Sequence, residues 1–400
     1  MPVFQLKPEV RFQGSSAAIK RPKEIGYFSY DENHEYHQDD RSLRYYYPPR
    51  IGADLCRGFE SFRQIDDTKD DHLESLLRAI VHIEKEAGER CEAELITWRG
   101  MLTKIMATPG DWMLGSGRMN ATLFQGTIFI EENHEYKLRS RAQQHSQPTR
   151  PGMHSQEMMS YWGMPNFNLL YPANRNEGYK FETLSLIPHP WDGTSREYIE
   201  NREREMVDNY AQYCSIVRTG IGKSRLILGG EVDAVIGAKP ESKDSPIEWI
   251  ELKTSACIRN EKDMLKYERK LQKFWIQSFL LGVPKIIVGF RTRDGILDHL
   301  EELETKNIPG LVKRKGQASW DGNVSINFTA AFLEWLRTII TSEGLWRIKR
   351  TERGQVIEVE QLTTVGHGGI LSEDFVTWRT GAVQPANEQQ ESSNQINHLG

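Results

Sequence analysis

The sequence predicts a mixed α/β fold of the α+β kind, with mixed β-sheets flanked by helices in one large domain. Three observations carry this expectation. Segments with strand and helix periodicity alternate along the chain. No Pro-, Gly- or Ser-rich linker divides it. Its conspicuous acidic residues follow apolar runs, the pattern of buried strands that deliver carboxylates to a partner. The catalytic domain is expected over residues 1–383, with 384–400, rich in Gln, Asn and Ser, as a disordered tail.

Residues 1–25 read as an extended N-terminal segment ending in Arg21-Pro22-Lys23-Glu24-Ile25. The aromatic clusters Tyr27-Phe28-Ser29-Tyr30 and Tyr45-Tyr46-Tyr47 follow as anchored chain or short strands. Leu73, Leu76, Leu77, Ile80 and Ile83 recur at helical spacing and predict a helix over 71–87, capped by Gly88. Strands are expected at 122–131 and 136–141, then a polar loop over 142–152. A long helix fits 195–218 and stops at Gly220. Strands fit 225–235 and 247–253, a helix 262–281, a strand 285–291 and a late helix 330–342.

The formal net charge is −5. Such a surface excludes a long, sequence-independent grip on nucleic acid, so if the chain binds RNA its cations must be local to a cleft. The four cysteines form no CxxC pair and no His spacing completes a zinc site, so a reduced, intracellular protein is expected. No apolar run reaches the length of a membrane span. Two motif-like runs fail. Gly220-Ile221-Gly222-Lys223-Ser224 has Val217 where a phosphate loop needs glycine, and reads as a helix stop and turn. His34-Glu35-Tyr36-His37 has its second histidine one position early for a metalloprotease and reads as a solvated loop.

The informative residues are Glu231-Val232-Asp233 and, on the next strand, Glu251-Leu252-Lys253. Side chains two apart on a strand share a face, so Glu231 joins Asp233, and Glu251 joins Lys253. Two paired strands of this kind crowd three carboxylates, which is costly unless a cation lies among them. Oxygen-only ligands favour Mg²⁺ or Mn²⁺. A D…ExK centre of this kind activates water against phosphorus, with Lys253 offsetting charge. A pair of exposed, charge-alternating edge strands is the bland alternative.

The ordered set of motifs resembles the decapping exoribonuclease family, in its fungal nuclear branch that partners the 5′–3′ exoribonuclease. Trp98-Arg99-Gly100-Met101-Leu102-Thr103, Gly178-Tyr179-Lys180-Phe181-Glu182, Glu231-Val232-Asp233 and Glu251-Leu252-Lys253 come in family order, and Gln277 follows on the next helix. The Leu43-Arg44-Tyr45-Tyr46 segment looks like part of the family's N-terminal region. The resemblance implies two divalent ions held by Glu182, Glu231, Asp233 and Glu251, with the Leu252 carbonyl assisting. It implies that Lys253 and Gln277 position water or the scissile phosphate, and that Arg99 contacts substrate. It also implies removal of pyrophosphate from 5′-triphosphate RNA and of unmethylated or NAD caps, in the nucleus, by a monomer within a heterodimer with the exoribonuclease. Alternatives are a related nuclease acting on other nucleic-acid ends and a mainly non-catalytic, stabilising subunit. Trp191, within Pro188-His189-Pro190-Trp191-Asp192-Gly193, is the expected partner anchor. The segment 164–177, rich in Pro and Asn after Tyr161-Trp162-Gly163, is an insert that either shapes the substrate mouth or merely decorates it.

Overall fold

Strand pairing buries the apolar runs and brings the acid-bearing segments together. The computed structural model describes residues 1–109, 117–145, 178–242, 245–351 and 354–381. The 164–177 insert, the Tyr161-Trp162-Gly163 run and the 384–400 tail lie outside them.

In chain order the strands are β1 (Val3–Gln5), β2 (Ile19–Tyr30), β3 (Tyr36–His37), β4 (Tyr45–Tyr46), β5 (Leu95–Trp98), β6 (Gly117–Phe124), β7 (Thr127–Glu132), β8 (Leu186–Ile187), β9 (Gln212–Ile221), β10 (Ser224–Glu231), β11 (Ala234–Val235), β12 (Trp249–Ala256), β13 (Lys285–Arg291), β14 (Leu297–Glu304), β15 (Leu345–Arg350) and β16 (Val356–Gln361). The helices are α1 (Glu74–Ala87), α2 (Arg99–Ala107), α3 (His134–His145), α4 (Tyr179–Ser185), α5 (Arg196–Asn201), α6 (Glu261–Leu281), α7 (Ile308–Lys315), α8 (Gly322–Ile339) and α9 (Glu373–Gly381). A ten-stranded sheet runs β1-β16-β15-β6-β7-β5-β10-β9-β2-β3, and a six-stranded sheet runs β14-β13-β12-β11-β4-β8. Both are mixed, as expected of a single α+β domain.

Two parallel pairs position the site. β5 pairs with β10, setting Gly229 opposite Trp98. β12 pairs with β13, and the long helix α6 is their crossover. β12 lies inside its sheet, so the edge-strand alternative fails.

Several expectations are corrected. Residues 195–218 form no long helix: α5 ends at Asn201, a 3-10 turn covers Arg202–Arg204, and β9 takes the rest. Tyr213 through Val217 are buried, because β9 is sandwiched between β10 and β2, and that burial suits extended, β-branched chain. Gly220 therefore stops no helix; Gly222, with φ of 60°, turns β9 into β10. The segment 136–141 is helical and not extended, because the Asn133 side chain accepts the Tyr136 amide at 2.9 Å and caps α3. The strand expected at 122–131 is a hairpin, since Gln125 and Gly126 both take positive φ, a tight-turn signature. The helix expected at 330–342 starts earlier, at Gly322, where the Asp321 side chain caps it. The N-terminal segment is packed: Phe4 and Phe12 are buried against Phe328.

The expected strand at 225–235 divides between the two sheets. β10 ends at Glu231 and β11 begins at Ala234, so Val232 and Asp233 carry the chain across. Glu231 and Asp233 thus do not share one strand's face.

At the far side, α9 clamps α1. The buried Glu84 carboxylate accepts the Cys91 amide (2.8 Å), the Trp378 indole (2.9 Å) and the Arg379 guanidinium. We expect Glu84→Ala to cost about 3–5 kcal/mol, because it leaves a buried guanidinium unpaired. Urea unfolding measures this, and Glu84→Ala combined with Arg379→Met should recover part of the loss. A single-variant loss below about 1 kcal/mol, typical of a surface pair, would refute the clamp.

Candidate active site

The cleft at the junction of the two sheets has a volume of about 230 Å³. Its lining includes Arg99, Glu182, Glu231, Asp233, Glu251, Lys253 and Gln277. The structure therefore brings these sequence-predicted side chains together.

Each arrives by a local rule. Glu251 and Lys253 lie two apart on β12 and point the same way, as expected. Arg99 follows β5 directly, so the β5–β10 ladder delivers it beside the end of β10. Gly230 permits this approach: a Cβ there would lie 2.9 Å from Leu281 and 3.0 Å from Arg99. Glu182 comes from α4, which packs on the smaller sheet by laying Phe181 over Gly289. A Cβ at Gly289 would sit 2.5 Å from that ring. Gln277 descends from α6, and its Oε1 is buried with no hydrogen-bond partner among the described residues. The Leu252 side chain is fully buried, while its amide donates to Asp233 Oδ2 at 2.5 Å. That bond lies just beyond the β11–β12 ladder, which ends at the Ala234–Ile250 pair. A carboxylate thus takes over where backbone pairing stops.

Glu251 is completely buried. Its oxygens lie 3.1 Å from Arg99 Nη1 and 2.8 Å from Lys253 Nζ. Burial opposes its charge, but Arg99 and Lys253 outweigh burial and hold its carboxyl below the usual range. Burial likewise works against the Arg99 and Lys253 cations, and the surrounding carboxylates, Glu251 first, raise both above their ordinary values. Asp233 behaves oppositely: burial, then repulsion from Glu251, push it up to about 7. Arg99, expected to contact substrate, is in this structure the ion-pair partner of Glu251 as well as a cleft residue.

The four acids face two cations, Arg99 and Lys253, so the floor carries an excess of two negative charges when all are ionised. Its side-chain donors are carboxylate oxygens, and Gln277, whose amide oxygen is buried without a partner among the described residues, lines the same cleft. This set fits a hard divalent cation.

Some cleft residues escaped the sequence reading: Arg44, Tyr198, Met206, Asp208 and Gln212 also line it. Arg44 was legible only as part of an N-terminal motif. Trp191 lies outside the lining, on a 3-10 turn, and is 67% exposed, so it does not fold back onto the core. His37, from the failed metalloprotease-like run, is paired with Asp31 at 2.8 Å.

The family described as "RAI1 like PD-(D/E)XK nuclease" matches residues 20–376. The Decapping nuclease RAI1 of Aspergillus fumigatus is 54% identical over 377 residues, covering 94% of this chain and 98% of that protein. That of Gibberella zeae is 53% identical over 387 residues, covering 96% and 99%. Among solved structures, Candida albicans Rai1 in complex with pU5-Mn2+ superposes with a TM-score of 0.83 at 30% identity, covering 95% of this chain and 99% of that one. Scheffersomyces stipitis Rai1 in complex with (3'-NADP)+ and calcium ion gives 0.82 at 28% identity, covering 95% and 100%.

The raised Asp233 carries a sign that can be tested. An acid whose folded value exceeds its unfolded value of 3.8 destabilises the fold as pH rises from about 4 to about 7. Without divalent metal, Asp233→Asn should remove that loss, so the variant's melting temperature should gain on the wild type across this window. Parallel melting curves against pH would dismiss the crowding. Glu251→Ala is a poorer probe of chemistry than its position in the motif suggests. It strands two buried cations, which costs stability as well as activity.

Proposed function

The chain belongs to the RAI1-like PD-(D/E)XK nuclease family, and on that footing we propose that it hydrolyses phosphate bonds at the 5′ ends of RNA with a divalent metal cofactor. As a member of a family of decapping nucleases it is a hydrolase. The finer activities proposed are release of pyrophosphate from 5′-triphosphate RNA and removal of unmethylated guanosine or NAD caps. The observation that carries the reading is the oxygen-lined, charge-deficient floor with its unsatisfied Gln277 oxygen. The manganese and pU5 in the Candida albicans structure, and the calcium and NADP in the Scheffersomyces stipitis one, support it.

Glu182, Glu231, Asp233 and Glu251, with the Leu252 carbonyl, would hold two ions, Mg²⁺ or Mn²⁺. Bound metal supplies Lewis-acid polarisation of the scissile phosphate and acidifies water. Lys253, kept protonated by Glu251, faces the charge that develops on the phosphate oxygens. Arg99 adds a second fixed cation on the same wall, which a phosphate can share with Glu251. Gln277 Oε1 accepts a hydrogen bond from the attacking water and so orients it.

Among the described residues no helix is long and apolar enough to cross a membrane. We place the protein in the nucleus, as a monomer paired with a 5′–3′ exoribonuclease. Support for the pairing is the exposed Trp191 and the likeness to the fungal nuclear branch.

Two outcomes test the reading. Purified protein with Mg²⁺ or Mn²⁺ should release pyrophosphate from 5′-triphosphate RNA, while Glu231→Ala releases none and a circular RNA survives. Rapid cutting of the circle, or full activity in Glu231→Ala, would sink it. Separately, Trp191→Ala should weaken the exoribonuclease complex by about 2 kcal/mol with hydrolysis unchanged. Equal affinity in titrations of wild type and variant would remove Trp191 from the interface.

A further inference from the structure

The cleft has a charge problem that the acid floor alone does not solve. Its floor cations, Arg99 and Lys253, are both bound to Glu251. Its lining also includes Glu32, Glu205 and Asp208, so the approach to the floor is acidic too. A 5′ end of RNA is a polyanion and needs a cation not already engaged.

Arg44 meets that description. It lines the cleft, and its guanidinium makes one long contact among the described residues, 3.4 Å to the Leu43 carbonyl, and no ion pair. Its backbone is fixed. The Arg44 carbonyl accepts the Val235 amide at 3.0 Å. The adjoining Tyr45 pairs with Val235 on one side and Ile187 on the other. Arg44 is thereby tied to the chain two residues beyond Asp233. Glu205 and Tyr198 line the same cleft. Arg44 thus brings to the cleft lining a planar fork of donors held by that one long contact, a group that suits a phosphate.

We infer that Arg44 is a substrate-binding residue that holds a phosphate group of the RNA 5′-terminal segment. This rests on the hydrolase reading above and assigns the binding step within it. The phosphate comes either from the departing polyphosphate or from the first phosphodiesters of the retained RNA.

Two probes separate the sources: inorganic pyrophosphate and a 5′-hydroxyl pentauridylate, titrated in the presence of calcium into wild type, Arg44→Gln and Arg44→Lys. Loss of a charge-assisted hydrogen bond should raise the dissociation constant about tenfold in Arg44→Gln. Arg44→Lys, which keeps the charge but not the fork, should lie between. Weakening of pyrophosphate assigns Arg44 to the departing group, weakening of the oligonucleotide to the retained chain, and weakening of both to the junction. Equal constants in all three proteins, or no binding of either probe by wild type, overturns the inference. The hydrolysis assay on wild type is separate: its failure removes the 5′-end reading, while the binding series still decides Arg44.

Discussion

A carboxylate wholly withdrawn from water must be neutralised or matched, and Glu251 is matched. Removing such a group from water costs several kcal/mol, which only close, well-directed counter-charges offset. Arg99 and Lys253 supply them from opposite directions in the sequence. Lys253 needs only the alternation of β12. Arg99 needs the parallel pairing of β5 with β10, the glycine at position 230, and the start of α2 immediately after Trp98. The join between the two sheets is thus organised around one ion-paired acid.

That arrangement divides the carboxylates into two kinds. Glu251 is held charged by its neighbours, while Asp233, crowded by Glu251, resists ionisation. A metal ion has the opposite effect on such a group, since it favours the deprotonated ligand. The site therefore combines a permanently charged anchor with an acid whose charge depends on what the cleft contains.

The sequence made some of this legible and not the rest, for physical reasons. The strand over Lys285–Arg291 and the helix through Gln277 were readable because each has one strong periodicity and a clear stop, Gly282 before Pro284. The pairing of Glu251 with Lys253 was readable because a strand has a period of two. Residues 195–218 misled because charged helix-forming residues run into a strand whose buried neighbours are remote in sequence. Asp233 was assigned to the face of Glu231, although the chain passes between sheets there and alternation lapses. Arg44 has no periodicity at all. Only the docking of β4 against β11 makes it a neighbour of the acids, and no local pattern announces that. Family resemblance supplied Glu182, Gln277 and Arg99, whose nearness to the acids no spacing rule yields.

The crossover helix α6 links two events that are usually separate. Because it both bridges β12 to β13 and carries Gln277, the cleft cannot be completed until that long-range parallel pair has closed. The β5–β10 ladder, which brings Arg99, joins segments still further apart. Contacts of such high sequence separation are slow to form, since chain entropy is lost before any pairing repays it. A partly synthesised or partly folded chain therefore lacks Arg99 and Gln277 beside its acids. The slow, long-range pairings thus govern when the cleft gains its full set of groups.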